Sequence, residues 1–178
     1  MNAAQAIWIC TIAVTLLAAW TDWRTRKIPN WLTVPALVLG ITVNAFAAGW
    51  SGAKASLEGA GLALILLLPF VLKRGLGAGD WKLMGAVGAF LGPVLFLLAL
   101  LASIFVSGLM AMVHLIRNGR VMTTLCNMVE IVRGFFSYGL RAHPEVSLDN
   151  PKLLKLPFGV AAAIATVICY CATRWGVL

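Results

Sequence analysis

Six acidic residues occur in this 178-residue chain. Two of them, Asp22 and Asp80, stand at the mouths of apolar runs, in Thr21-Asp22-Trp23-Arg24-Thr25-Arg26-Lys27-Ile28-Pro29-Asn30 and in Gly77-Ala78-Gly79-Asp80-Trp81-Lys82-Leu83. A carboxylate at the edge of hydrocarbon is costly and asks for a reason. Two carboxylates brought together by folding can share one proton, the ionised one activating a water and the protonated one acting as an acid. That chemistry is aspartyl peptide hydrolysis. Each residue also has a plainer role: Asp22 as a counter-ion to Arg24 or Arg26, and Asp80 as the N-cap of a helix after a glycine-rich turn, where the helix dipole favours its charge. Glu58, Glu130, Glu145 and Asp149 are weaker candidates, the first near the end of an apolar run and the others in the long polar segment that follows residue 117.

The remaining reactive residue types encode no competing site. Cys10, Cys169 and Cys171 lie inside apolar runs and Cys126 stands alone, with no C-x-x-C anywhere, so neither a zinc site nor a disulfide framework is expected. His143 falls in a loop. No metal and no cofactor is called for by these patterns.

The elements that must position the two carboxylates are membrane helices. The chain is 61% hydrophobic and 11% charged, with a mean hydropathy of +0.94, too little polar surface for a soluble domain of this size. The net charge of +8 comes from short basic clusters between apolar runs, without the aromatic interleaving of a nucleic-acid surface. These clusters suit topology signals and anionic headgroups. Apolar runs at 3–20, 31–48, 57–72, 81–91, 93–116 and 156–175 predict an all-α, polytopic bundle of about six transmembrane helices forming a single domain over 1–178. The Gly92-Pro93 pair divides the fourth from the fifth. The first, third and fifth connections are basic and the second and fourth nearly bare. The positive-inside rule then places the odd connections in the cytosol and both termini outside. Asp22 and Asp80, 58 positions apart, arrive at the same cytosolic membrane face. Within the fifth connection, Val121, Leu125, Met128, Val129, Val132, Phe135 and Phe136 recur at helical spacing, which predicts an amphipathic helix over 119–141 lying in the interface, as a strut or a substrate-docking surface. The basic cluster follows the first apolar run instead of preceding it, the reverse of a secretory signal.

The Asp22 segment with its Ile28-Pro29-Asn30, the run Gly77-Ala78-Gly79-Asp80-Trp81-Lys82-Leu83 continuing to Gly88-Ala89-Phe90-Leu91-Gly92, and Leu156-Pro157-Phe158-Gly159 together resemble the type IV prepilin peptidases, in the same order along the whole chain. The resemblance implies that Asp22 and Asp80 are the catalytic pair. It implies that Gly77, Gly79, Lys82, Pro157 and Gly159 shape the site, with Lys82 and Arg74 as candidates for tuning the pair electrostatically. The implied substrate is a prepilin whose basic leader is cut after a glycine at the cytosolic face of the bacterial inner membrane, with pilus assembly machinery as a possible partner. The larger members carry an N-terminal region with a cysteine tetrad linked to N-methylation. This chain opens on its first apolar run and resembles the short members that serve Flp-type (tight adherence) pili, for which methyl transfer is not expected. Alternatives are a presenilin-like intramembrane protease, a transporter subunit with paired acids, and a non-catalytic membrane scaffold. The presenilin-like reading would place its other aspartate within a span, and Thr42 and Asn44 are too few polar residues for a permeation path.

Overall fold

The computed structural model describes residues 3–73, 75–119 and 157–176, and these are helical throughout apart from turns. There are four helices among them: α1 (Ala3–Thr25), α2 (Asn30–Leu72), α3 (Ala78–Arg117) and α4 (Phe158–Arg174). The first three are long and apolar enough to cross a membrane, and α4 is a shorter apolar helix. The six separate apolar runs therefore appear as four elements. The second and third are the two arms of α2, and the fourth and fifth the two arms of α3. The predicted amphipathic helix lies outside the described residues, as do Arg74, Cys126 and Glu130.

A straight helix of 43 residues would be about 65 Å long, twice the hydrocarbon thickness. α2 is not straight. Ala48 (φ −135°, ψ 17°) and Gly49 (φ 62°, ψ −141°) leave helical geometry. The Ser56 hydroxyl then lies 3.5 Å from the carbonyl oxygen of Gly40, sixteen residues back, where an unbroken helix would separate them by about 24 Å. The positive φ of Gly49 makes this reversal accessible without a connecting loop. The eight residues expected to link two spans are thus mostly helix.

The reversal wraps both arms of α2 around the first arm of α3. The connection before α2 meets the start of α3, with Ile28 against Gly79, and Gly40 packs on Ala89 and Phe90, so the first arm of α2 runs parallel to α3. The second arm runs back. Gly59 meets Gly88 backbone to backbone, and the Trp81 indole N–H donates to the Leu64 carbonyl at 2.9 Å. Side chains at residues 59 and 88 would each collide with the facing carbonyl, so glycine at both positions lets the helices touch, as at small-residue crossings in membranes. Every residue from Leu83 to Gly92 is buried, making this arm of α3 the central helix. On its other side, α1 and α4 run antiparallel: Asp22 meets Gly159, while the rings of Trp8 and Tyr170 lie 5.7 Å apart. The ends of α1 and α2 and the starts of α2, α3 and α4 consequently gather at one end of the bundle. Exposed Trp20, Trp23 and Trp31 ring that end, and Trp50 and Trp175 are exposed at the other, the placement of interfacial tryptophans.

α3 kinks at Gly92 (φ 72°, ψ 178°), immediately before Pro93. Proline has no N–H for the carbonyl four residues earlier, which is that of Ala89. Ser56 donates its hydroxyl to this orphan at 2.6 Å. The Asn44 amide nitrogen reaches Ala89 at 3.1 Å, Phe90 at 3.0 Å and Gly40 at 3.1 Å. Asn44, a polar interruption in the sequence, is here a staple joining the reversal in α2 to the kink in α3. We expect Asn44→Leu combined with Ser56→Ala to destabilise the protein by about 2–4 kcal/mol, since a buried carbonyl left unpaired costs about 1–3 kcal/mol. Thermal unfolding in detergent checks this, with Thr42→Val, on the exposed side, as the near-neutral control.

Candidate active site

Asp22 lies in the last turn of α1 with 6% of its surface exposed. Its Oδ2 accepts a hydrogen bond from the backbone N–H of Gly159 at 2.9 Å. Pro157 is the N-cap of α4 and Gly159 its second residue, so this N–H is one of the donors that a helix start leaves without an intrahelical partner. The negative end of α1 opposes a carboxylate there, and the positive end of α4 favours it. A Cβ at residue 159 would sit 3.1 Å from both Cβ and Oδ2 of Asp22. Glycine is what allows the backbone to come this close. Pro157 and Gly159 thus both belong to the helix start that meets Asp22.

Asp80 is the third residue of α3 and is not its N-cap, which is Gly77. Its carboxylate instead reaches back to accept the Gly77 N–H, the returning half of a capping box. A Cβ on Gly77 would lie 2.8 Å from Asp80 Oδ2, and one on Gly79 would lie 3.1 Å from the Cβ and carbonyl oxygen of Ile28. The two glycines of the motif therefore serve different contacts. Gly77 makes room for the carboxylate, and Gly79 admits the α1–α2 connection. Ile28, part of the Ile28-Pro29-Asn30 motif, is buried there, a packing role that the sequence pattern did not specify.

Both carboxyls lie just outside the apolar stretches 3–20 and 81–91, and both are held above the ordinary carboxylate range. Burial raises Asp22, opposed by the Gly159 hydrogen bond and by the charge of Arg26. Burial and then the charge of Asp22 push Asp80 up to about 7, against the Gly77 hydrogen bond. Of the two possible counter-ions to Asp22, Arg26 is the one that acts on it, whereas Arg24 stands 4.8 Å over the ring of Trp20. Lys82 has a side-chain partner on the first turn of α2. Its Nζ donates to Asn30 Oδ1 at 2.9 Å. Asn30 correspondingly does not cap α2, which starts from Pro29 without a side-chain cap. The other acid in view, Glu58, is exposed and stands 3.8 Å from Lys54. Among the described residues no three His, Cys, Asp or Glu side chains converge.

Two carboxyls both raised by burial, with the charge of one raising the other, can hold a single proton between them. The model of the type IV leader peptidase family matches residues 9–112, a stretch that covers more than half of the chain and contains both aspartates. The chain belongs to that family, and is a protease. No curated protein and no solved structure matches it.

The raised value at Asp80 fixes the sign of a stability effect. Below the unfolded value of 3.8 both states hold the proton. Between that value and about 7 the folded state alone holds it, so stability falls as pH rises through this window. We expect unfolding temperatures measured between pH 4 and 8 to decline more steeply for the wild type than for Asp80→Asn, which has no proton to lose.

Proposed function

We propose that this member of the type IV leader peptidase family is an aspartyl endopeptidase that removes the basic leader from Flp-like type IV prepilins, with Asp22 and Asp80 as its catalytic pair. The observation that carries this reading is the coupling of the two carboxyls. The charge of one raises the other, although 58 residues separate them.

In the working state the pair holds one proton. The ionised carboxylate takes a proton from water as the water oxygen bonds to the scissile carbonyl carbon, and the protonated carboxyl gives its proton to the carbonyl oxygen. The tetrahedral gem-diol then collapses: the second carboxylate takes back a hydroxyl proton as the C=O bond re-forms, the C–N bond breaks, and the amine leaves with the proton gained by the first carboxyl. Gly77, Gly79 and Gly159 admit close backbone approaches around both groups, and Pro157 starts the helix whose N-terminus faces Asp22. Lys82 shapes the site through Asn30.

Arg24, Arg26, Lys27, Lys73 and Lys82 all belong to the end of the bundle that holds the pair, against Lys54 and Arg174 at the other. The positive-inside rule supports a cytosolic site in the inner membrane, with the two arms of α2 and of α3 as separate spans and both termini outside. A single cysteine at Ser51 in a cysteine-free background should label from the external side, and one at Lys27 only after the membrane is permeabilised. Labelling of both from the same side would overturn this topology.

The Asp22–Gly159 hydrogen bond favours a second reading, a non-catalytic scaffold in which Asp22 only caps α4. Asparagine separates the two, because its amide oxygen still accepts the Gly159 N–H but cannot carry a proton to water. Asp22→Asn and Asp80→Asn should each abolish cleavage of a prepilin in detergent or proteoliposomes, with unfolding temperatures at or above wild type. The double variant should be no slower than either single one. Glu58→Gln and replacement of Cys10, Cys126, Cys169 and Cys171 should preserve cleavage. Wild-type rates in Asp22→Asn would favour the scaffold.

A further inference from the structure

The distance between two catalytic carboxyls on different helices must be held by something, and α1 and α3 share no hydrogen bond near the pair among the contacts described above. What joins them is the connection between α1 and α2. Its first residues are tied to α1, with the Arg26 N–H donating to the Asp22 carbonyl at 2.9 Å and Arg26 in the left-handed region at φ 55°, uncommon for a side chain other than glycine, asparagine or aspartate. Its middle is held by Ile28, 8% exposed, lying so close to Gly79 that a methyl group there would press on it at 3.1 Å. Its far end is tied to α3 by the Lys82 Nζ–Asn30 Oδ1 hydrogen bond of 2.9 Å. Pro29, with φ −75°, stiffens the last step.

We propose that residues 26–30 form a rigid strap whose latch, Asn30 with Lys82, sets the separation of Asp22 and Asp80, which makes Asn30 and Lys82 positioning residues for the reaction. The inference rests on the catalytic reading of the two aspartates. Lys82 contributes a donor long enough to cross from α3 to the first turn of α2, and its charge strengthens the hydrogen bond to a neutral acceptor. Among the described residues, the ionised or ionisable groups that the contacts above place around the pair are Arg26 on the strap, Asp22 on α1, and Asp80 and Lys82 on α3. The first turn of α4 brings only the Gly159 N–H, and the first turn of α2 brings Asn30. Asn30→Ala releases the latch with every one of these charges present, whereas Lys82→Met releases it and removes the Lys82 charge as well.

The consequence is directional. The charge of Asp22 raises Asp80, so carboxyls that drift apart interact less and Asp80 loses its proton at lower pH. The alkaline limb of the pH–activity profile, where the one-proton pair becomes fully ionised, then moves to lower pH. Misplacement of the reacting groups by about 1 Å costs on the order of 100-fold in rate.

The test is cleavage of a prepilin by the full-length protein in proteoliposomes, followed from pH 5 to 9 for wild type, Asn30→Ala, Lys82→Met and the exchange Asn30→Lys/Lys82→Asn. Unfolding temperatures are measured alongside. The expected result is a kcat lowered about 10- to 100-fold in both single variants with KM near wild type, an alkaline limb displaced to lower pH, and partial recovery of both in the exchange. A fall in rate with the limb unmoved, or single variants that cleave like wild type, would overturn the strap. Asp22→Asn and Asp80→Asn run beside them: if these still cleave, the catalytic reading itself fails, whereas inactive aspartate variants with an unmoved limb in Asn30→Ala dispose of the strap alone.

Discussion

Pro93 leaves the carbonyl of Ala89 without its helical partner, in the interior of an apolar bundle where no water can replace it. An orphan of this kind has to be answered by a side chain, because an unpaired polar group in hydrocarbon costs several kcal/mol. Asn44 and Ser56 answer it from opposite sides of the reversal in α2. They can do so only if the two arms of α2 lie side by side against the first arm of α3. That arrangement carries the end of α2 back to the end of the bundle from which it started. Asp80, which follows α2 by a short turn, is thereby delivered beside the connection that follows Asp22. The geometry of the candidate site depends on a hydrogen-bonding problem solved at the opposite end of the molecule.

The site shows the same economy in its backbone. α3 and α4 both present their N-terminal ends to it, and a helix start supplies unpaired N–H groups and a positive dipole. Asp80 uses the start of its own helix, through Gly77. Asp22 stands at the unfavourable end of its own helix and uses the start of another, through Gly159. Burial raises both carboxyls, and each is restrained by one backbone donor. Burial is the main cause of both raised values, and the charge of Asp22 adds to it at Asp80.

Close backbone approach recurs wherever elements must meet. The Gly59–Gly88 crossing brings α2 onto the central helix, Gly79 admits Ile28, and Gly159 admits Asp22. Without a hydrophobic drive between helices already in lipid, such contacts supply packing by dispersion and by short interhelical distances. Large apolar side chains fill the core at Leu83, Met84, Phe90 and Phe96, and many more Leu, Ile, Val and Phe side chains are exposed on the outside. Glycine and alanine at the crossings and a broad apolar outer surface suit a protein whose solvent is hydrocarbon.

Much of this was legible in the residues. The all-helical class followed from apolar runs of membrane length, because hydrocarbon admits few other folds. Asp22 and Asp80 stood out because acids are scarce in such a chain, and the motifs around them resembled the family that the chain proves to belong to. The sequence also located the break at residue 92 through Gly92-Pro93, and the end of an apolar run at residue 48. It did not distinguish a loop from a reversal inside a continuous helix, since the backbone angles of one glycine decide that. Only the tertiary structure decided the partners: that Asp80 is a third helical residue reaching back to Gly77, that Lys82 bonds Asn30, that Arg26 and not Arg24 acts on Asp22, and that Asn44 and Ser56 close on Ala89. Residue type and spacing determine what a side chain can do and on which face of its own helix it lies. Which group on another helix it meets depends on crossings and reversals set by backbone contact between distant glycines, and no local pattern records those.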